Sequence, residues 1–94
     1  MTEKQTRKMI KEFLAKTGAW QYHTHQHGFR AFKGIADIGG SYHYKHFFIE
    51  AKSESGKLRP EQKTFLENAQ KEGFHCFVAY DFSSFYKWWQ GEMK

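Results

Sequence analysis

The chain has 94 residues, of which 15 are Lys or Arg and 10 are Asp or Glu, giving a net charge of +5 with neutral histidines. That length allows one domain, residues 1–94, with a small core. Ten Phe, five Tyr and three Trp make the chain too aromatic for disorder, and no apolar run reaches the length of a membrane span. A lone cysteine, Cys76, excludes an internal disulfide and a thiolate zinc knuckle. The polar, charged segment from Met1 to Thr17 lacks the apolar stretch of a secretory signal. A reducing, cytoplasmic setting is therefore expected.

The first predicted element is a helix over Thr2 to Thr17. Thr2 and Gln5 have the Thr-x-x-Gln spacing of a capping box, Met9, Ile10, Phe13 and Leu14 form an apolar stripe, and Gly18 stands at the C-cap. Trp20 to His27 alternates as a strand does. Gly28 to Gly34 reads as a loop carrying Arg30 and Lys33. Ile35 to Tyr42 and Lys45 to Lys52 read as two strands joined by a tight turn, followed by a polar loop from Ser53 to Arg59. Pro60, the only proline, suits the first position of a helix running to Glu72, with Gly73 ending it. Phe74 to Tyr80 is a continuous apolar run, expected as a buried strand. Asp81 is placed to cap a last helix whose Phe82, Phe85, Tyr86 and Trp89 form a core-facing stripe. Trp88 falls off that stripe, and an exposed Trp there would mark a subunit interface. The order αβββαβα implies an α/β fold with a mixed sheet flanked by helices.

The segment from Gly34 to Lys52 carries the chemistry. Glu50 and Lys52 are two apart on a predicted strand, so both point to one side, in a strand that is otherwise apolar. Buried charge is costly unless it is paired or binds a metal. If Asp37 lies on the neighbouring strand, two carboxylates meet, and a divalent cation relieves their repulsion. Oxygen ligands of this kind suit Mg²⁺ or Mn²⁺. The ammonium of Lys52 would orient a water or stabilise a phosphate oxygen. Gln62 lies three and four residues before Phe65 and Leu66, on the inward face of the following helix.

The runs Gly34-Ile35-Ala36-Asp37, Phe48-Ile49-Glu50-Ala51-Lys52 and Gly56-Lys57-Leu58-Arg59-Pro60-Glu61-Gln62 together resemble the PD-(D/E)xK nuclease superfamily. More narrowly, the chain resembles the standalone VRR-NUC domain over almost its whole length, with Ala36 where that family usually has proline. The resemblance implies a restriction-endonuclease-like αβββαβ core with a mixed four-stranded sheet, and metal-dependent hydrolysis of DNA at branched structures. The four-way junction comes first among these and a flap second, with a 5′-phosphate and a 3′-hydroxyl as products. It implies Asp37, Glu50 and the Ala51 carbonyl as metal ligands, Lys52 as the catalytic lysine and Gln62 as the family's helix glutamine, holding Lys52 or the water. A glutamate from the first helix often joins the metal site. Glu3, in line with Ile10 and Leu14, is favoured over Glu12. A homodimer would present two such sites to a branched substrate.

Arg30, Lys33, Lys45, Lys57 and Arg59 flank the expected site in loops and are candidate phosphate contacts. Phe29, Phe32, Tyr42 and Tyr44 interleave with them, as core or as stacking platforms. His23, His25 and His27 would share one strand face, but no third soft ligand is placed with them, so a zinc site there is the lesser reading. A DNA-binding module without catalysis and a general RNA- or single-strand-binding protein are the remaining alternatives.

Overall fold

A computed structural model describes residues 2–23 and 34–94. Three helices and four strands follow in the order α1 (Glu3–Thr17), β1 (Trp20–His23), β2 (Ile38–Tyr42), β3 (Lys45–Ala51), α2 (Pro60–Lys71), β4 (His75–Ala79) and α3 (Phe82–Glu92). The strands form one mixed sheet in the order β1-β2-β3-β4. The β1/β2 and β2/β3 pairs are antiparallel, and β3 and β4 are parallel, joined through α2.

Local chemistry accounts for the helix ends. Thr2 Oγ1 accepts from the Gln5 amide at 3.1 Å and Gln5 Oε1 accepts from the Thr2 amide at 2.8 Å, which closes the capping box of α1. Gly18 ends the helix in the left-handed region at φ 86°. Asp81 accepts from the Ser84 amide at 2.7 Å to start α3. That N–H bond holds the Asp81 carboxyl below its ordinary pKa.

The sheet separates two apolar layers. On one face Ile38, Phe47 and Ile49 pack with Ile10 and Leu14 of α1 and with Phe85 and Trp89 of α3. On the other, Ala36 and Phe48 pack against Leu66 of α2. Trp89 is fully buried, with the rings of Tyr42, Phe47, Phe13 and Phe85 within 5.9 Å of it. Two glycines of β2 leave room for rings on the two faces, Gly39 for Tyr22 and Phe48 and Gly40 for Phe47. A Cβ on Gly40 would lie 2.1 Å from the Trp20 carbonyl and 2.7 Å from the Phe47 ring.

Several expectations change. β2 begins at Ile38 rather than Ile35, which leaves Asp37 in a bend immediately before the strand. β1 is described to His23, and the rest of its predicted span lies outside the described residues. β4 is an edge strand and mostly half-buried rather than fully buried, because only β3 pairs with it. Its continuous apolar run is met by helices on both faces: Phe77 packs in the α1/α3 layer, and Cys76 and Val78 in the α2 layer. Trp88 is not exposed. It stacks on Phe77 with ring centres 5.0 Å apart, because α3 lies along β4. Tyr86, expected in the core stripe, is 45% exposed at the rim, with Phe13 against one edge of its ring.

The β2–β3 turn carries strain. His43 and Tyr44 have φ of 48° and 70°, a conformation that two-residue hairpin turns normally give to Asn and Gly. Tyr44 is 97% exposed, so its ring contributes little packing in return. Tyr44→Gly is therefore expected to stabilise the fold by up to about 1 kcal/mol. Urea denaturation checks this, and an unchanged or lowered midpoint would refute it.

Candidate metal and catalytic site

The register of β2 on β3 builds the site. Ile38 pairs with Ile49 as the last rung of the ladder, and Asp37, in the bend just before β2, stands beside Glu50 of β3. Both carboxylates are almost wholly removed from solvent, Asp37 at 4% and Glu50 at 3% exposure. The register thus brings two like charges together in the protein interior, an arrangement that is unfavourable without neutralisation.

Each carboxylate is held from a different side. Asp37 Oδ2 accepts from the Ala51 amide at 3.0 Å, which locks the bend onto the end of β3. The same oxygen lies 3.7 Å from Nε of Arg7 on α1, and Nη2 of Arg7 donates to Glu3 at 3.0 Å. Glu50 Oε2 accepts from Gln62 Nε2 at 3.4 Å and lies 3.9 Å from Nζ of Lys52. Glu50 Oε1 is buried and has no hydrogen-bond partner among the described residues. Burial, followed by the adjacent charge of Asp37, pushes the Glu50 carboxyl up to about 8, while Lys52 pulls it the other way.

Gln62 has two functions. Its Oε1 accepts from the Arg59 amide at 2.9 Å, the reciprocal half of a capping box at the start of α2. This orients the amide so that its nitrogen faces Glu50. Gln62 therefore donates to Glu50, where Lys52 or the water was the expected partner. The side chain of Lys52 is directed from the backbone, where its amide donates to the Ala79 carbonyl at 2.9 Å and continues the β3/β4 ladder beyond Ala51. Gly34 permits the approach of α2. Its φ is 77°, and a Cβ there would lie 2.2 Å from the Glu61 carbonyl oxygen.

Asp37, Glu50, Ala51, Lys52 and Gln62 thus gather at one end of the sheet, with Arg59 beside them through its backbone. The other expected residues stand differently. Glu3 is not grouped with the two carboxylates. It sits in the first turn of α1 and reaches Asp37 only through Arg7. Lys45 is at the opposite end of β3, five residues from Glu50 and so about 17 Å away. Its ammonium donates to the Glu92 carbonyl at the C-terminus of α3, where a cation is favoured. Lys57 is exposed in the loop before α2, and Arg59 turns its guanidinium to Glu61 at 3.5 Å. Arg30, Lys33, His25, His27, Phe29 and Phe32 lie outside the described residues.

Arg7 is the site residue that the sequence reading missed. At about 100° per residue it falls about 20° from Leu14, at the edge of the buried stripe of α1, where an arginine needs a partner. That position was the available signal.

The two carboxylates and the partnerless Glu50 oxygen fit a hard divalent cation. Among the described residues no cluster of three or more His, Cys, Asp or Glu is assembled. Mg²⁺ does not require one, because it keeps several waters and takes one or two carboxylates. No protein-family model matches the chain, and no curated protein does.

The raised Glu50 pKa has a defined sign for stability. Between about 4.5 and about 8 the folded chain keeps a proton that the unfolded chain releases. Metal-free protein is therefore expected to lose stability as pH rises through that window. Glu50→Gln is expected to flatten the slope. Thermal melts in EDTA at several pH values measure both, and a wild-type melting temperature that rises from pH 5 to pH 8 would contradict the assignment.

Proposed function

We propose that the chain is a divalent-metal-dependent endonuclease acting on DNA, with branched DNA as its substrate. The observation that carries this reading is the buried Asp37–Glu50 pair with the Lys52 ammonium 3.9 Å from Glu50, at the sheet end where α1 and α2 converge. Two carboxylates meet in the interior with Arg7 and Lys52 beside them, and one Glu50 oxygen is left without a hydrogen-bond partner among the described residues. The αβββαβ order of the elements is also that of the nuclease family the sequence resembles.

Asp37 and Glu50 would hold Mg²⁺ or Mn²⁺, with the Ala51 carbonyl as a third protein oxygen. The bound metal would supply a water of lowered pKa and charge stabilisation at phosphorus. The chain's own residues do the rest. Lys52, fixed on the same face as Glu50, orients the attacking water or pairs with a non-bridging phosphate oxygen as negative charge develops there. Gln62 keeps Glu50 in one rotamer. Arg7 stands beside Asp37 as its counter-charge. The water oxygen bonds to phosphorus, the bond to the 3′ oxygen breaks, and that oxygen leaves as a hydroxyl. A homodimer would offer two such centres to the two strands of a junction, and sedimentation at micromolar concentration tests it.

The deciding experiment is cleavage of a labelled four-way junction beside flap and linear duplex, in Mg²⁺, Mn²⁺ or EDTA. Wild type is expected to cut the junction only with metal. Lys52→Ala is expected to lose at least about a hundredfold in rate while still binding the junction. Tight binding with no cutting in either metal would replace this reading with a non-catalytic binding module. In addition, Mg²⁺ is expected to raise the melting temperature of wild type more at pH 8 than at pH 5.5, because the metal and the Glu50 proton compete. Asp37→Asn is expected to abolish that difference. An equal rise at both pH values would argue against metal binding to this pair.

A further inference from the structure

One face of α1 carries Lys4, Arg7, Lys8 and Lys11, the i, i+3, i+4, i+7 pattern of a continuous ridge. The ridge is about 10 Å long at 1.5 Å rise per residue. With Glu12 these residues line a shallow groove of about 440 Å³. Like charges at this spacing destabilise a helix, so the ridge opposes the folding of its own element. Among the described residues Arg7 is neutralised by Glu3 and Asp37, and the charge of Asp37 acts on Lys11 as well. Lys11 is part-buried. Burial, and then the charge of Arg7, hold its ammonium below the ordinary value.

The position of the ridge gives it meaning. Arg7 belongs both to the ridge and to the carboxylate site, since its Nε lies 3.7 Å from Asp37. The line of cations therefore runs past the proposed metal centre. A membrane surface is a poor match, because the apolar stripe of α1, with Ile10 and Leu14, is fully buried against the sheet and α3 and is not available to insert. A regularly charged polyanion fits, with successive phosphates reaching successive lysines.

We infer that the Lys4–Lys8–Lys11 face of α1 is a phosphate-binding track that holds the DNA backbone next to the bond cut at Asp37 and Glu50. This rests on the nuclease reading above. It adds a substrate surface on the first helix to the loop residues expected from the sequence. Contacts of this kind position the duplex without reading bases, so the track sets affinity and its salt dependence rather than sequence preference.

The test uses the full chain carrying Lys52→Ala, so that DNA is bound and not cut. Binding of a labelled four-way junction and a linear duplex is measured from low to moderate salt. The same chain is then given Lys4→Gln, Lys8→Gln and Lys11→Gln together, or Lys16→Gln alone as a control from another face of α1. Glutamine keeps helix propensity, and circular dichroism verifies the fold. Arg7 is left intact because it touches Asp37. The triple variant is expected to bind at least tenfold more weakly, with the slope of log K against log salt reduced by about 3, roughly 0.9 for each lost contact. Lys16→Gln is expected to leave both unchanged.

An unchanged slope in the triple variant, with the parent binding DNA, would overturn the track and leave the nuclease reading standing. No binding of any DNA by the parent would overturn both. Binding of the parent to vesicles of equal phosphatidylserine and phosphatidylcholine, with the same lysine dependence and none to DNA, would assign the ridge to a membrane instead. Loss of fold in the triple variant shifts the test to single substitutions, each expected to lower the slope by about 1.

Discussion

The fold is organised around the repulsion between two carboxylates that it forces together. Asp37, in the bend before β2, meets Glu50 of β3 just beyond the end of their ladder, and most of the surrounding polar structure holds them there. The Ala51 amide pins one, the Gln62 amide the other, and Arg7 and Lys52 bring positive charge from opposite flanks. None of these partners comes from the same element as another of its kind. α1, β3, α2 and the loop after β3 each supply one group, so the site exists only when the whole sheet and both helices have assembled.

The aromatic content serves this arrangement from the opposite face. A domain of this size has little apolar surface to bury. Packing Trp89 among Tyr42, Phe47, Phe85 and Phe13 concentrates that burial in a few large side chains behind β2 and β3. Aromatic rings in tilted and edge-on contact hold their neighbours rigidly. β2 and β3 are therefore backed by this aromatic cluster, while the polar site occupies the end of the sheet. Gly40 makes room for the Phe47 ring of this cluster, and Gly39 for the Tyr22 and Phe48 rings on the other face.

Much of this was legible in the residues, and the boundary has physical causes. Helix ends came through because capping is local. Thr2 with Gln5, Gly18, Pro60 and Asp81 each act within a few positions of chain. The alternation that puts Glu50 and Lys52 on one face, and Phe47 and Ile49 on the other, is also local. Partnerships were less legible. Gln62 could be placed on an inward face, but its choice of Glu50 over Lys52 depends on the capping bond to Arg59, a geometric fact. Lys45 looked close to the site because it is close in sequence. An extended strand carries it to the far end, where the C-terminus of α3 takes it. Arg7 was passed over because its link to Asp37 crosses from the first helix to the bend before the second strand. Trp88 looked like an outlier only until β4 was found beside α3.

The double use of Gln62 ties the start of a helix to the state of the site. One end of its amide receives the backbone N–H of Arg59 and the other donates to Glu50, so the first turn of α2 and the carboxylate share a single side-chain conformer. A change in charge on Glu50 alters how firmly that conformer is held, and with it how often the first turn of the helix opens. The exchange rate of one backbone proton, the Arg59 amide, thereby becomes a remote gauge of the carboxylate. It can be read in solution without substrate, without cleavage and without a spectroscopically active metal.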